Sequence, residues 1–302
     1  MTRAQATALG FGAVLLWALL ALFTVGSAPV PPLLLNALCF AVGGAIGVVW
    51  TAARGRLGVL RAVPLRVYVF GTVGLFGYHF FYFSALRLAP PAEAGLIAYL
   101  WPLLIVLFSG LLPGERLRAG HVFGALLAFA GAALILSRGI GNDQGTWAGY
   151  GFAILCALTW SSYSVGSRWF GKQPTEAVTV YCLASAVLAA VAHLAFETTV
   201  WPESTLGWVS VLALGLGPVG LAFYIWDVGV KRGDIQLLGT ASYAAPLLST
   251  VVLVLAGFAA ATLSLGLAAA MIAGGAVLAA RAGARSRNGA EARPGVSPPT
   301  AE

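Results

Sequence analysis

Charge is what this sequence has least of. Charged residues make up 9% of its 302 positions and apolar residues 60%, whereas a soluble domain carries about 25% charged residues. Mean hydropathy is +0.90. A chain of this kind cannot cover its surface in water. The shortage runs from residue 6 to residue 281, which excludes a soluble domain held by a single anchor. Cysteine is scarce too: Cys39, Cys156 and Cys182 lie in apolar runs without CxxC spacing and read as small buried hydrophobes. The three histidines, His79, His121 and His193, are scattered, and only ten acids are present. No metal set or carboxylate cluster emerges, so no catalytic residue, metal or cofactor is expected. The net charge of +7 does not point to nucleic acid, because the arginines occupy short gaps between apolar runs and act as topology signals.

What is present is apolar length. About 20 apolar residues cross a bilayer as a helix. Ten such runs fall at roughly 6–25, 32–52, 66–86, 92–112, 119–137, 148–167, 177–196, 206–228, 235–256 and 263–281. Pro, Gly and charge mark the gaps, as at Ala28-Pro29-Val30-Pro31-Pro32, Pro90-Pro91, Pro113-Gly114-Glu115 and Gly139 to Gly145. The first run is too long for a signal-peptide core and is expected to stay as a helix. With the N-terminus in the cytoplasm, one face receives Arg3; Arg54, Arg56, Arg61, Arg66; Arg116, Arg118; Arg168, Lys172; Lys231, Arg232; and Arg281, Arg285, Arg287, Arg293. The other face receives only Arg87 and Arg138. Fifteen basic residues against two is a strong positive-inside bias, and both termini are expected in the cytoplasm.

An internal repeat underlies the ten runs. Sliding residues 71–106 by 144 positions pairs Gly71 with Gly215, Tyr82 with Trp226, Arg87 with Lys231, Gly95 with Gly239 and Tyr99 with Tyr243. It also pairs Pro102-Leu103-Leu104 with Pro246-Leu247-Leu248 and Gly131 with Gly275, while Trp17 pairs with Trp160 at a shift of 143. Five spans is an odd number, so the second copy enters the membrane from the opposite side. The expectation is an all-α integral membrane protein, ten helices as an inverted 5+5 repeat. Residues 1–138 and 139–282 form the halves, and 283–302 form a disordered cytoplasmic tail. Secondary transporters of this architecture bind substrate near the midplane, where the halves meet.

Ala98-Tyr99-Leu100-Trp101-Pro102, followed by Gly114-Glu115-Arg116-Leu117 and by Gly120, Gly124 and Gly131, resembles the signature of the ten-span drug/metabolite transporter superfamily. The second half echoes it in Tyr243-Ala244-Ala245-Pro246 and Gly274-Gly275. It lacks a counterpart of Glu115, having alanines at 259–261. Aromatic density around Gly77-Tyr78-His79, Tyr82 and Trp101-Pro102 makes the chain most similar to bacterial aromatic amino acid exporters. The resemblance implies export of small metabolites across the inner membrane, aromatic amino acids first.

Polar groups in hydrocarbon face the bundle interior or a wet cavity, and aromatic residues at mid-depth do not belong to the interfacial belts that suit Trp50, Trp147, Trp201 and Trp208. The expected substrate-binding residues are Trp17, Tyr78, His79, Tyr82, Tyr99, Trp101, Pro102, Trp160, Tyr163, Tyr224, Tyr243 and Pro246. Tyr78 and Tyr82 share a helix face at i, i+4. Pro102 and Pro246 each free a helical carbonyl, a pointer to a binding site when paired in two halves. Stacking suits an aromatic cargo, and cation–π contact its ammonium. None of Glu93, Glu115, Glu203 and Asp227 falls at mid-depth. This argues for facilitated export, with coupling through His79 as the alternative. Short loops argue against an enzyme, and the absence of a charged ring argues against a channel. The competing reading is the same carrier with another solute. Bilayer lipid and a small solute, an amino acid above others, are the expected partners. A monomer suffices, with a dimer as an alternative.

Overall fold

The computed structural model describes residues 1–137, 146–170, 173–255 and 262–291. Arg138, Lys172, Arg293, the Gly139–Gly145 gap, the alanines at 259–261 and the end of the tail lie outside the described residues, as do the side chains of Arg285 and Arg287.

Among the described residues every regular element is a helix. In order they are α1 (Arg3–Ala18), α2 (Leu20–Gly26), α3 (Pro32–Ala53), α4 (Leu57–Arg61), α5 (Leu65–Leu88), α6 (Pro91–Ala98), α7 (Trp101–Ser109) and α8 (Ala119–Leu136). Then come α9 (Trp147–Trp169), α10 (Ala177–Phe196), α11 (Thr205–Leu216), a π-helical segment (Gly217–Leu221), α12 (Ala222–Arg232), α13 (Ile235–Ala241), α14 (Ala244–Leu255) and α15 (Leu263–Glu291). Among the described residues, eight helical stretches are long and apolar enough to cross a membrane. Large apolar side chains such as Phe123, Val187, Leu194 and Leu206 are exposed, while Ser161, Ser164, Thr240 and Asp227 are buried. This inside-out distribution is that of a chain solvated by lipid. α15 continues past the start of the expected tail to Glu291.

Local chemistry sets the helix boundaries. Pro32 and Pro91 open α3 and α6 at the first turn, where a missing N–H costs nothing. Thr2, Thr146, Ser204 and Asp234 cap α1, α9, α11 and α13 with side-chain oxygens. The fourth run is broken between α6 and α7 at Tyr99-Leu100, and the ninth between α13 and α14 at Ser242-Tyr243. Both breaks precede the paired prolines. α8 packs on α15 so closely that a Cβ on Gly124 would stand 2.5 Å from the Gly275 carbonyl oxygen. Only glycine permits that approach.

Ion pairs tie the two ends of the bundle. At one end Glu115, placed by a turn through Gly114 at φ +81°, meets Arg168 at 2.5 Å and Arg3 at 3.3 Å. Arg3 also reaches Asp234 at 3.5 Å, and Arg168 donates to the Gly233 carbonyl at 3.0 Å. Nearby, Lys231 pairs with Asp227 at 2.8 Å, and Arg56 with Glu176 at 2.8 Å. At the far end Glu197 accepts from Arg87 at 2.5 Å, pairs with His193 at 2.9 Å and caps α3 through the N–H groups of Leu33 and Leu34.

Candidate functional site

A cavity of about 400 Å³ lies within the bundle. Seven of the twelve expected residues line it: Trp17 from α1, Tyr78, His79 and Tyr82 from α5, Tyr99 and Trp101 from the first break, and Trp160 from α9. The expected i, i+4 pairing holds, for Tyr78 and Tyr82 stack with rings 6.1 Å apart and nearly parallel. Phe83 and Phe223 also line the wall, making eight Trp, Tyr and Phe side chains around one space, with the His79 imidazole beside them.

One side of the wall is a tryptophan cluster. Trp17 lies 6.1 Å from Trp101, 5.7 Å from Trp160 and 5.1 Å from Trp226, centroid to centroid. Trp226 is fully buried behind the lining and donates to Ser164 Oγ at 3.1 Å. Trp17 Nε1 donates to the Pro218 carbonyl at 3.0 Å. Pro218 belongs to the π-helical segment, where the regular ladder is interrupted and a buried carbonyl needs another donor. The indole is thereby tied to the irregular turn of the eighth run.

His79 is buried in the wall beside Tyr78. Its Nδ1 lies 2.8 Å from the Leu75 carbonyl oxygen. A carbonyl only accepts, so the ring proton sits on Nδ1, and the neutral ring presents Nε2 as an acceptor. Phe40 and Phe223 meet the imidazole edge-on, at 5.0 and 5.9 Å. Among the described residues, none that lines the cavity is an acid, a lysine or an arginine. Among the described residues no three ligating side chains gather to hold a metal ion.

The other five expected residues stand elsewhere. Tyr163 packs behind Trp160 at 5.3 Å and against Gly74 and Phe70. Tyr224 turns away and donates to the Gly43 carbonyl at 3.0 Å. Tyr243 is fully buried, and its hydroxyl accepts from the Leu103 N–H at 3.1 Å. That N–H is one of the orphan donors at the start of α7, so Tyr243 joins the two helix breaks. Pro102 and Pro246 are buried in the first turns of α7 and α14 without reaching the lining.

Asn36 of α3 does line the cavity, and so do Thr24 and Cys39. Asn36 was not among the expected residues. The sequence carries a signal for it: a lone primary amide in Pro-Leu-Leu-Leu-Asn-Ala-Leu-Cys is as costly in hydrocarbon as the buried serine or tyrosine hydroxyls.

A family model described as the EamA-like transporter family matches residues 5–137 and again 147–281. An aromatic amino acid exporter, YddG, of Ancylobacter novellus is 57% identical over 92% of this chain and 98% of its own. The protein of the same name from Escherichia coli K12 is 25% identical over 92% and 97%. A biotin transporter of that bacterium is 29% identical over 64% of this chain and 60% of its own. A solved crystal structure at 57% identity superposes with a TM-score of 0.88, covering 92% of this chain and 98% of that one. This chain belongs to the EamA-like transporter family. It is a multi-pass membrane transporter rather than an enzyme.

Proposed function

We propose that the chain exports amino acids, aromatic ones in preference, from the bacterial cytoplasm across the inner membrane by alternating access. The observation that carries this reading is the cavity wall, where eight aromatic side chains surround a space with no formal charge. Stacking on the indole and phenol rings suits an aromatic side chain, and neutral dipoles suit a zwitterion. The Ancylobacter relative, named for aromatic amino acid export, supports the same cargo.

Ten spans arranged as two inverted halves frame this cycle. Two expected spans fall outside the eight long apolar helices. One is α6–α7, broken at mid-length; the other is α9, 23 residues long but rich in serine and aromatic residues. The family model matches twice, its copies ending 144 residues apart at 137 and 281. The α8–α15 contact is reciprocal at that shift. Gly124 meets Gly275, and Gly131 meets Ala268, each the other's counterpart. Trp17 faces Trp160, and His79 faces Phe223, its counterpart at 144. The basic residues favour cytoplasmic termini. The Glu115 cluster then closes the cytoplasmic end, and the lining residues Thr24, Leu35 and Leu86 carry the cavity towards the periplasm. No acid lines it, which favours facilitated exchange without a proton.

Counterflow in proteoliposomes tests the reading. Vesicles loaded with unlabelled phenylalanine should accumulate labelled phenylalanine, tyrosine and tryptophan faster than leucine or biotin, with little dependence on an imposed pH gradient. Exchange of biotin without exchange of aromatic amino acids would overturn the cargo. Accumulation driven only by the pH gradient would overturn the uncoupled mode.

A further inference from the structure

Asn36 is 5% exposed and lines the cavity. Among the described residues its side-chain amide has no hydrogen-bond partner. A primary amide offers two donors and an acceptor oxygen, and a buried one is ordinarily paired. What completes this one is what enters the cavity.

Its neighbours along α3 define where it stands. Phe40, at i+4 on the same face, touches the His79 ring. Asn36 therefore lies about one helical turn, ~5.4 Å, from the level of His79, towards the Pro32 end. His79 presents Nε2 as an acceptor, since Nδ1 is committed to Leu75. A donor-capable amide and an acceptor thus stand about a turn apart on a wall without formal charge. An α-amino acid bears a carboxylate and an ammonium on one carbon. Two hydrogen bonds of about 2.9 Å allow those groups to bridge that separation. The side chain then falls among the tyrosine and tryptophan rings.

We propose that Asn36 determines specificity for the head group of the cargo: its side-chain NH₂ donates to the carboxylate of an amino acid whose ammonium donates to His79 Nε2. This rests on the amino acid export reading above. The aromatic wall selects the side chain, and Asn36 selects the carboxylate.

The test is counterflow of labelled phenylalanine by full-length protein, with unlabelled phenylalanine and phenylalaninamide as competitors. The amide keeps the ring and the ammonium but has no carboxylate. In the wild type it should compete about tenfold more weakly, the size of one hydrogen bond to a charged group. In Asn36→Leu the apparent KM for phenylalanine should rise about tenfold, and the gap between the two competitors should close. Asn36→Asp keeps the shape but sets a carboxylate against a carboxylate, so it should reverse the preference towards phenylalaninamide. A merely structural role would weaken both competitors alike. If Asn36→Leu does not fold, Asn36→Asp carries the test. A wild-type competitor ratio retained in the folded variants would overturn the role of Asn36 and leave the export reading standing. A wild type that exchanges no amino acid would overturn both.

Discussion

At the scale of single residues, the sequence pointed to aromatic side chains, and which of them border the cavity was set by the helix breaks and the packing. Tyr99 and Tyr243 occupy the same position in the two copies and were expected to do the same thing. Tyr99 faces the cavity, whereas Tyr243 is sealed in the core with its hydroxyl on the Leu103 N–H. The breaks at these positions rotate the chain, and a 3.6-residue period does not survive a break. That Tyr163 and Tyr224 stand off the lining was not legible for a related reason: a helix packed on all sides has no polar face to reveal which flank borders empty space. His79 lines the cavity, and the sequence singled it out because imidazole is rare in its apolar runs. His79→Ala should lower exchange roughly tenfold, the scale of one hydrogen bond to a charged group, while the protein still elutes as a folded species. The Leu75 carbonyl keeps its place in the α5 ladder, where the backbone N–H of residue 79 still donates to it. Wild-type flux at matched reconstitution would contradict this expectation.

At the scale of elements, several apolar runs anticipated their helices to within a few residues, whereas the fourth and ninth are broken and α15 outruns its own by ten. α3, α8 and α10 are the clearest cases, because Pro, Gly and charge punctuate their ends. The π-helical turn at Gly217–Leu221 was less legible. The Trp17–Pro218 bond that holds it is formed between residues 201 positions apart. The α8–α15 seam has a separate job. Neither helix supplies a lining residue, so its close packing belongs to the scaffold. Gly275→Leu would drive a side chain into the Gly124 carbonyl. Overpacking of this kind costs about 1–3 kcal/mol. The expected result is a melting temperature lowered by several degrees, with an unchanged KM in the fraction that stays folded. A raised KM at unchanged stability would link the seam to the cavity.

At the scale of the whole molecule, the charges that suggested orientation also pair with one another across one end of the bundle. Glu115 sits between Arg3 and Arg168, and through them it joins the start of α1, the turn after α7, the end of α9 and the α12–α13 connection. The sequence showed Glu115 near a helix end but not its partners, which lie 112 and 53 residues away. Glu115→Gln leaves two arginines facing each other across a neutral amide. With Arg3 partly solvated, the loss is on the order of 1–2 kcal/mol. Backbone amide exchange around residues 112–118 and 230–236 should become several-fold faster, and near Glu197 it should stay as in the wild type. Uniform acceleration along the chain would mean general unfolding and not the release of one end.

The uncharged wall of the cavity has an electrical consequence. A membrane potential acts on a moving unit charge with roughly 2.3 kcal/mol per 100 mV. A neutral site that reorients empty, or carrying a zwitterion, moves no net charge in either direction. A potassium diffusion potential of either sign should therefore leave phenylalanine exchange unchanged, and no current should accompany it. A flux that responded steeply to voltage would reveal a charge crossing the field on some element other than this wall.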